Sequence, residues 1–343
     1  MGYGARKVNT CGAQHFPLEK SPKTAKLINM KLLYKETLDG ICIQRYYSLD
    51  GRVRIPDQVD GMPVRELDSY VFSQTVRGRE APPLAVTDEP AVMGEVLEEL
   101  VLPGTLRKVG AYAFYNCTCL KLLSCHSTVE DWGAGVFTGC SGLEELDIRL
   151  MGGPKSCLKE ILAELRQTLI VSFRNPQGEL GARLVFPEFF EESVENTPAR
   201  IIMREMHGCG HMYRYCFQGP DFDFREYDRL FPHVQVQEKP KLVTRLALYR
   251  LYWPWDLTEK ARESYWKYIK EHMRETVLGL AARGELEILR WLSDAGDFGE
   301  REIEEMTRAA ALAADARVSS VLMDAGHRRR ESAGKKGKRT FAL

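Results

Sequence analysis

Four kinds of residue return at an interval of 23 in this chain: Leu97, Leu120 and Leu143; Gly110 and Gly133; Phe114 and Phe137; Cys117 and Cys140. The first unit reads Leu97-Glu-Glu-Leu100-Val-Leu102-Pro103 and runs to Cys117. The second reads Leu120-Lys-Leu-Leu123-Ser-Cys125-His126 and runs to Cys140, and a third opens at Leu143-Glu-Glu-Leu146-Asp-Ile148. A divergent earlier unit holds Val53-Arg-Ile55-Pro56, Val64, Leu67, Tyr70 and Phe72. A Leu-x-x-Leu-x-Leu run sends alternate side chains to one face of a short strand. One such unit cannot bury that face alone, so copies must stack, and the interval predicts a solenoid.

The columns Leu102-Pro103, Gly110, Ala111, Phe114, Cys117 and Leu120 resemble the BspA-like bacterial leucine-rich repeat family. The lead-in Gly40 to Tyr46, ahead of Val53-Arg-Ile55-Pro56, looks like the hairpin that opens such arrays. The resemblance covers about residues 31–150 and departs in the third strand, where Cys125-His126 stands for the usual Ile-Pro. It implies a parallel β-solenoid with a strand face that serves for binding. Between Phe72 and Leu97 the pattern is interrupted, and Ser73 to Val96, with Pro82-Pro83 and Pro90, reads as a surface insertion loop.

Beyond Met151 the periodicity changes. Ser156 to Leu165 carries Leu158, Ile161, Leu162 and Leu165 at helical spacing. Thr168 to Phe173 and Arg183 to Phe186 are β-rich runs about Asn175-Pro-Gln-Gly178, which predicts a hairpin. Short helices are expected near Glu188–Val194, Ala199–Met206 and Phe224–Phe231. From Lys241 the pattern is helical, with one helix to Tyr252 and another opened by the N-cap residue Thr258. The run Thr276 to Gly296, with Ala281-Ala282, Gly284 and Ala295-Gly296, resembles an ankyrin repeat, and a second copy ends at Ala325-Gly326. Val277 and Gly279 stand where that repeat has Pro and His, so the region of about residues 240–326 is ankyrin-like. The tail Arg328–Arg339 holds seven Lys/Arg among Gly and Ser and is expected to be disordered.

The expected fold class is therefore α+β: a leucine-rich-repeat β-solenoid, an α+β middle region over 151–240, and an ankyrin-like helical array over 241–326. An N-terminal extension (1–30) precedes it and the basic tail (327–343) follows. Forty-eight Lys+Arg balance 48 Asp+Glu, which argues against a global pull toward nucleic acid or anionic membrane. No run reaches the ~18 apolar residues of a membrane span. Residues 1–30 carry Arg6, Lys7, Glu19, Lys20, Lys23 and Lys26 without the apolar core of a secretion signal. Nine cysteines cannot all pair, so a reducing cytoplasm is the expected compartment.

Candidate sites follow from these elements. On the strands the x positions point outward and stack into two columns, Arg52, Glu99, Leu122, Glu145 and Arg54, Val101, Ser124, Asp147. They predict a protein-binding face, basic at one end and acidic at the other. His207, Cys209 and His211 are zinc-competent residues at a spacing unlike a zinc knuckle. No Gly-x-Ser-x-Gly, Walker or Gly-x-Gly-x-x-Gly run occurs, and no nucleophile, base and orienting group can be assembled. Tyr249, Tyr252, Trp253, Trp255, Tyr265, Trp266 and Tyr268 sit at helical spacings that favour core over base stacking. The expected function is a non-catalytic protein-interaction scaffold without cofactor. The alternatives are an enzyme or regulatory subunit with its site in 151–240, and a nucleic-acid-associated protein acting through Arg328–Arg339.

Overall fold

The structure, a computed structural model, describes residues 26–28, 31–76, 83–84, 88–152, 158–196 and 201–339. Its first half is a β-solenoid of about five turns with two walls. One wall is built from β4 (Arg52–Arg54), β7 (Glu99–Val101), β9 (Leu122–His126) and β11 (Glu145–Arg149), all parallel. The other begins with β1 (Lys26–Ile28), β2 (Leu32–Glu36) and β3 (Ile41–Tyr46), which pair antiparallel. It continues in parallel through β6 (Met62–Leu67), β8 (Lys108–Val109) and β10 (Asp131–Trp132), with β5 (Gln58–Val59) folded back on β6.

Each repeated column has a visible task. Leu100, Leu123 and Leu146 lie side by side and are buried. Phe72, Phe114 and Phe137 stack between the walls, with ring centroids 6.0 and 5.7 Å apart. The cysteines are rungs: the Cys117 thiol donates to the Phe72 carbonyl at 3.4 Å, and Cys140 to that of Phe114 at 3.1 Å. Burial pushes the Cys140 thiol up to about 12 and raises Cys117 as well, so both stay protonated donors. The glycines are set by turn-to-turn approach. A Cβ on Gly133 would lie 2.3 Å from the Ala111 nitrogen, and one on Gly110 would lie 2.4 Å from that of Ser69.

The solenoid does not stop at residue 150. After α1 (Leu158–Glu164), β12 (Leu169–Arg174) joins β11 in parallel as a fifth strand, and β13 (Leu180–Phe186) closes the sheet antiparallel. Gln167 takes over where the repeat ends, its side-chain amide donating to the Cys140 and Leu143 carbonyls. The expected hairpin over 168–186 is thus present, and it belongs to the solenoid sheet. The insertion also differs from a pure surface loop. Its last residues return to the body, where Val92 is buried and donates to the Tyr46 carbonyl.

Two expected helices are strands. Phe190–Asn196 and Ile201–His207 form an antiparallel ribbon, β14 and β15, in place of helices near 188–194 and 199–206. Val194, Ile201 and Ile202 are β-branched, which favours strand, and Ala199 and Arg200 of the second expected helix lie outside the described residues. The rest of the middle region holds a short helix, α2 (Gly210–Tyr213), and a small hairpin, β16 (Phe217–Gln218) and β17 (Asp221–Phe222). Then come α3 (Phe224–Arg229), capped by Asp223, and α4 (Phe231–Gln237).

The helical half comprises α5 (Pro240–Tyr252), α6 (Glu259–Glu271), α7 (Met273–Arg283), α8 (Leu286–Ala295), α9 (Glu300–Ala313) and α10 (Ala316–Arg339). Thr258 accepts from the Ala261 amide, as an N-cap residue should. Helix α9 packs on α7 and α10 on α8, so the last two pairs stack. Helix α10 runs on through the segment expected to be disordered. That segment lacks proline, and its Ala, Glu, Lys and Arg are good helix formers that outweigh its glycines.

One apolar core runs from Leu32 to Val321. The helical half is seated on β13, the last strand of the solenoid sheet. Trp255 lies over Gly181, where a Cβ would come within 2.3 Å of the indole. The Tyr227 hydroxyl donates to the Val185 carbonyl at 2.6 Å and accepts from its amide at 3.1 Å. Tyr249, Tyr265 and Tyr268 are buried, and Tyr252, Trp253, Trp255 and Trp266 pack against the core. Arg214, wholly buried, donates to the carbonyls of Leu165, Pro187, Gly210 and Gln167, stitching α1 to the start of α2.

Candidate functional site

The strand register sets the outward positions in ranks, at steps of 23 from β7 to β11 and of 47 from β4 to β7. Arg52, Glu99, Leu122 and Glu145 form one rank, and Arg54, Val101, Ser124 and Asp147 the next. Over them lies a groove of about 670 Å³. Arg54, Glu99, Val101, Leu122, Ser124 and Asp147 line it, whereas Arg52 and Glu145 stand outside its lining. Val101 and Leu122 are half-buried and supply the apolar floor.

Sequence reasoning missed a third rank. His126, Arg149 and Arg174 stand side by side on β9, β11 and β12. These are the positions where the first turns carry Pro56 and Pro103. The signal was present at Cys125-His126, where the Ile-Pro pattern ends, and it continues at Ile148-Arg149 and Phe173-Arg174. A column of prolines gives way to a column of nitrogen donors along one groove. The His126 ring lies against Gly104, and its Nδ1 is buried without a hydrogen-bond partner among the described residues. Burial, and next the Arg149 charge beside it, hold His126 below the usual imidazole range, so it is neutral at neutral pH.

The charge pattern departs from the expected basic-to-acidic gradient. Both acids at the far end are held by arginines of β12 and β13. Arg174 Nε donates to the two Asp147 oxygens at 2.8 and 2.9 Å, and its Nη1 donates to the Gly178 carbonyl at 3.0 Å. Arg183 Nη2 donates to Glu145 at 3.1 Å. The Arg183 guanidinium also lies 5.0 Å from the Tyr249 ring centre and 5.8 Å from that of Trp253. At the near end Arg52 and Glu99 are 3.5 Å apart. Two of the groove's acids, Glu99 and Asp147, are therefore already paired within the protein.

The zinc-competent residues do not converge. His207 Nε2 faces Glu192 at 3.2 Å and its ring stacks on Phe190. Cys209 is buried, its thiol donating to Glu238 at 3.7 Å and pushed up to about 12 by burial and the nearby carboxylate. The His211 ring nitrogen Nδ1 lies 3.2 Å from the Gly208 carbonyl. Among the described residues no group of three or more His, Cys, Asp or Glu is arranged to hold a metal ion. In the basic tail, Arg328 pairs with Asp294 of α8 at 2.9 Å.

Comparison with known proteins agrees with the repeat. Residues 91–161 match the family described as BspA type Leucine rich repeat region (6 copies). No curated protein sequence matches the chain. Among solved structures it is similar to the leucine rich repeat protein of T. pallidum, at 24% identity over 37% of this chain and 53% of that one, with a TM-score of 0.28. It is also similar to a leucine rich cell surface protein from Faecalibacterium prausnitzii, at 24% identity over 38% of this chain and 34% of that one, again with a TM-score of 0.28. The chain spans about half of the first and a third of the second. The matched repeat belongs to a class of binding modules, and no catalytic family is indicated. No helix among the described residues is long and apolar enough to cross a membrane.

Proposed function

We propose that this chain is a non-catalytic interaction module that holds a segment of a partner protein in the groove over β4, β7, β9, β11 and β12. The observation that carries the reading is the groove itself. It overlies the outward ranks of the repeat, has an apolar floor at Val101 and Leu122, and is walled by polar groups. Stacked repeats offer extended surfaces of this kind. The helical half, ankyrin-like in sequence, supplies a second surface in this reading. Its seat on β13 also steadies the sheet that forms the groove. A reducing compartment such as the cytoplasm suits the chain, since Cys117 and Cys140 act as buried thiol donors.

The test is occlusion without a change of charge. Val101→Trp and Ser124→Trp place indoles in the groove, while their outward positions leave the core intact. Wild type and variant are used to capture proteins from an extract of the source organism, with melting curves recorded alongside. A partner retained by wild type and lost from an equally stable variant is the expected result. Equal retention by both would reject the groove as the binding surface.

A further inference from the structure

We propose that the occupant of the groove is an extended segment of a partner protein that carries two acidic side chains four residues apart, with an apolar residue midway. The proposal rests on the groove being the binding surface and specifies the chemistry of what it takes. Among the groove's charges, Glu99 is paired with Arg52, and Asp147 with Arg174. Asp57 accepts the Gly104 amide at 2.8 Å, a bond that spends one of its oxygens. Arg54 and Arg149 are different. Neither guanidinium has an ion pair or hydrogen bond among the described residues, and both residues line the groove. The charges left to a ligand are thus two arginines, one at each end, offset by the single partly used carboxylate of Asp57. An arginine presents a planar fork of donors that suits carboxylate.

Geometry sets the spacing of the acids. The sheet order places β7 and β9 between β4, which carries Arg54, and β11, which carries Arg149. Three interstrand steps of about 4.8 Å separate the two arginine backbones by about 14 Å across the sheet, and the one-rank offset adds about 7 Å along it, for about 16 Å in all. An extended peptide advances about 3.4 Å per residue, so residues i and i+4 are about 14 Å apart and point to the same face. The reach of the two arginine side chains closes the remaining gap. Residue i+2 then falls midway, over the β7–β9 pair, where Val101 and Leu122 form the floor. The neutral His126 beside Arg149 adds a ring nitrogen without adding charge. A peptide with an acid at i, an apolar residue at i+2 and an acid at i+4 meets each of these features in turn.

A random peptide display library selected on the full chain tests this. Arg54→Gln, Arg149→Gln, the double variant and the groove-filling Ser124→Trp are carried in parallel. Melting curves and circular dichroism confirm that each is folded. Selected peptides are expected to converge on the acid-x-apolar-x-acid pattern. A synthetic Gly-Glu-Thr-Leu-Thr-Glu-Gly probe should lose about 5-fold in affinity with each arginine variant, an exposed charge pair being worth up to about that factor. The double variant should lose about 25-fold, since the two positions are far enough apart to add. Peptides that lack the acids but still depend on an open groove would overturn the acidic pattern and leave the groove reading standing. Selection indifferent to Ser124→Trp would remove both. No convergent selection, or an oligothymidylate that binds and displaces the selected peptides, would also overturn the proposal.

Discussion

Removing one carboxylate from the helical half should cost a large share of the stability of the chain. Asp228 of α3 and Arg250 of α5 are 4% and 0% exposed. Arg250 Nε and Nη2 each donate to Asp228 at 2.8 Å, and the Tyr265 hydroxyl donates to the same carboxylate at 2.7 Å. In Asp228→Ala the guanidinium keeps only the Trp253 and Trp255 carbonyls, at 3.4 and 3.2 Å, and the tyrosine hydroxyl loses its acceptor. Breaking a buried pair from one side costs about 3–5 kcal/mol, because a charge is left without a partner. The orphaned hydroxyl adds on the order of 1 kcal/mol. With a urea m-value of about 3 kcal/mol/M, a loss of about 4–6 kcal/mol moves the midpoint down by about 1.3–2 M. Tryptophan fluorescence reads the transition, since Trp253, Trp255, Trp266 and Trp291 lie in or beside these helices. The control removes the whole polar group: Asp228→Leu with Arg250→Met and Tyr265→Phe should return to within about 2 kcal/mol of wild type, the desolvation cost having gone with the pair. A single variant that loses under about 1 kcal/mol would refute the argument, as would a triple variant as weak as the single.

Three further outcomes are expected. Gly133→Ala forces a Cβ to 2.3 Å from the Ala111 backbone and should lower thermal stability by roughly 2–3 kcal/mol, whereas Gly326→Ala, inside α10 with open space around it, should gain up to about 1 kcal/mol in the same melt. In a Cys11→Ser, Cys157→Ser background, thiol titration of the native chain should find only Cys119, since Cys42, Cys117, Cys125, Cys140, Cys209 and Cys216 are buried. Full reactivity should appear on unfolding. Asp223→Ala removes the acceptor of two helix-start amides and should cost about 1 kcal/mol at neutral pH. Those amide bonds hold the Asp223 carboxyl below its ordinary value, so its contribution is present above that value and fades as pH falls through the lowered one. Chemical unfolding at about pH 7 and about pH 3 should show the gap between wild type and variant closing.

The solenoid was legible wherever its columns repeat, because each column reports one physical demand. Glycine marks the close approach of adjacent turns, cysteine a thiol rung, phenylalanine a space between the walls. The interval also told where legibility would end. Leu100, Leu123 and Leu146 are neighbours at steps of 23, but the next residue in that rank, Val171, comes 25 later. Helix α1 and the Gln167 side chain replace the Gly, Phe and Cys of the missing turn, so β12 has no column to announce it. The ribbon β14–β15 was misread because Glu, Met and Arg suit helices in isolation. What holds it is pairing between residues up to 17 apart, such as Phe190 opposite His207. Local propensity does not carry such pairings.

The hidden fifth strand alters the charge of the strand face more than its length suggests. Read up to residue 150, the outward ranks end in two acids and predict a partner with basic side chains at that end. The strands that follow supply Arg174 and Arg183, and these turn the same acids inward, toward the protein's own cations. Arg183 is in turn held between β13 and α5 by Tyr249 and Trp253, so the helical half fixes the electrostatic state of the solenoid face. A repeat array cut at residue 150 would expose Glu145 and Asp147 and should prefer basic peptides. The intact chain, with those acids satisfied and Arg54 and Arg149 left over, should prefer acidic ones. If the groove is the binding surface as proposed, the sign of the preferred ligand is set by how the array ends.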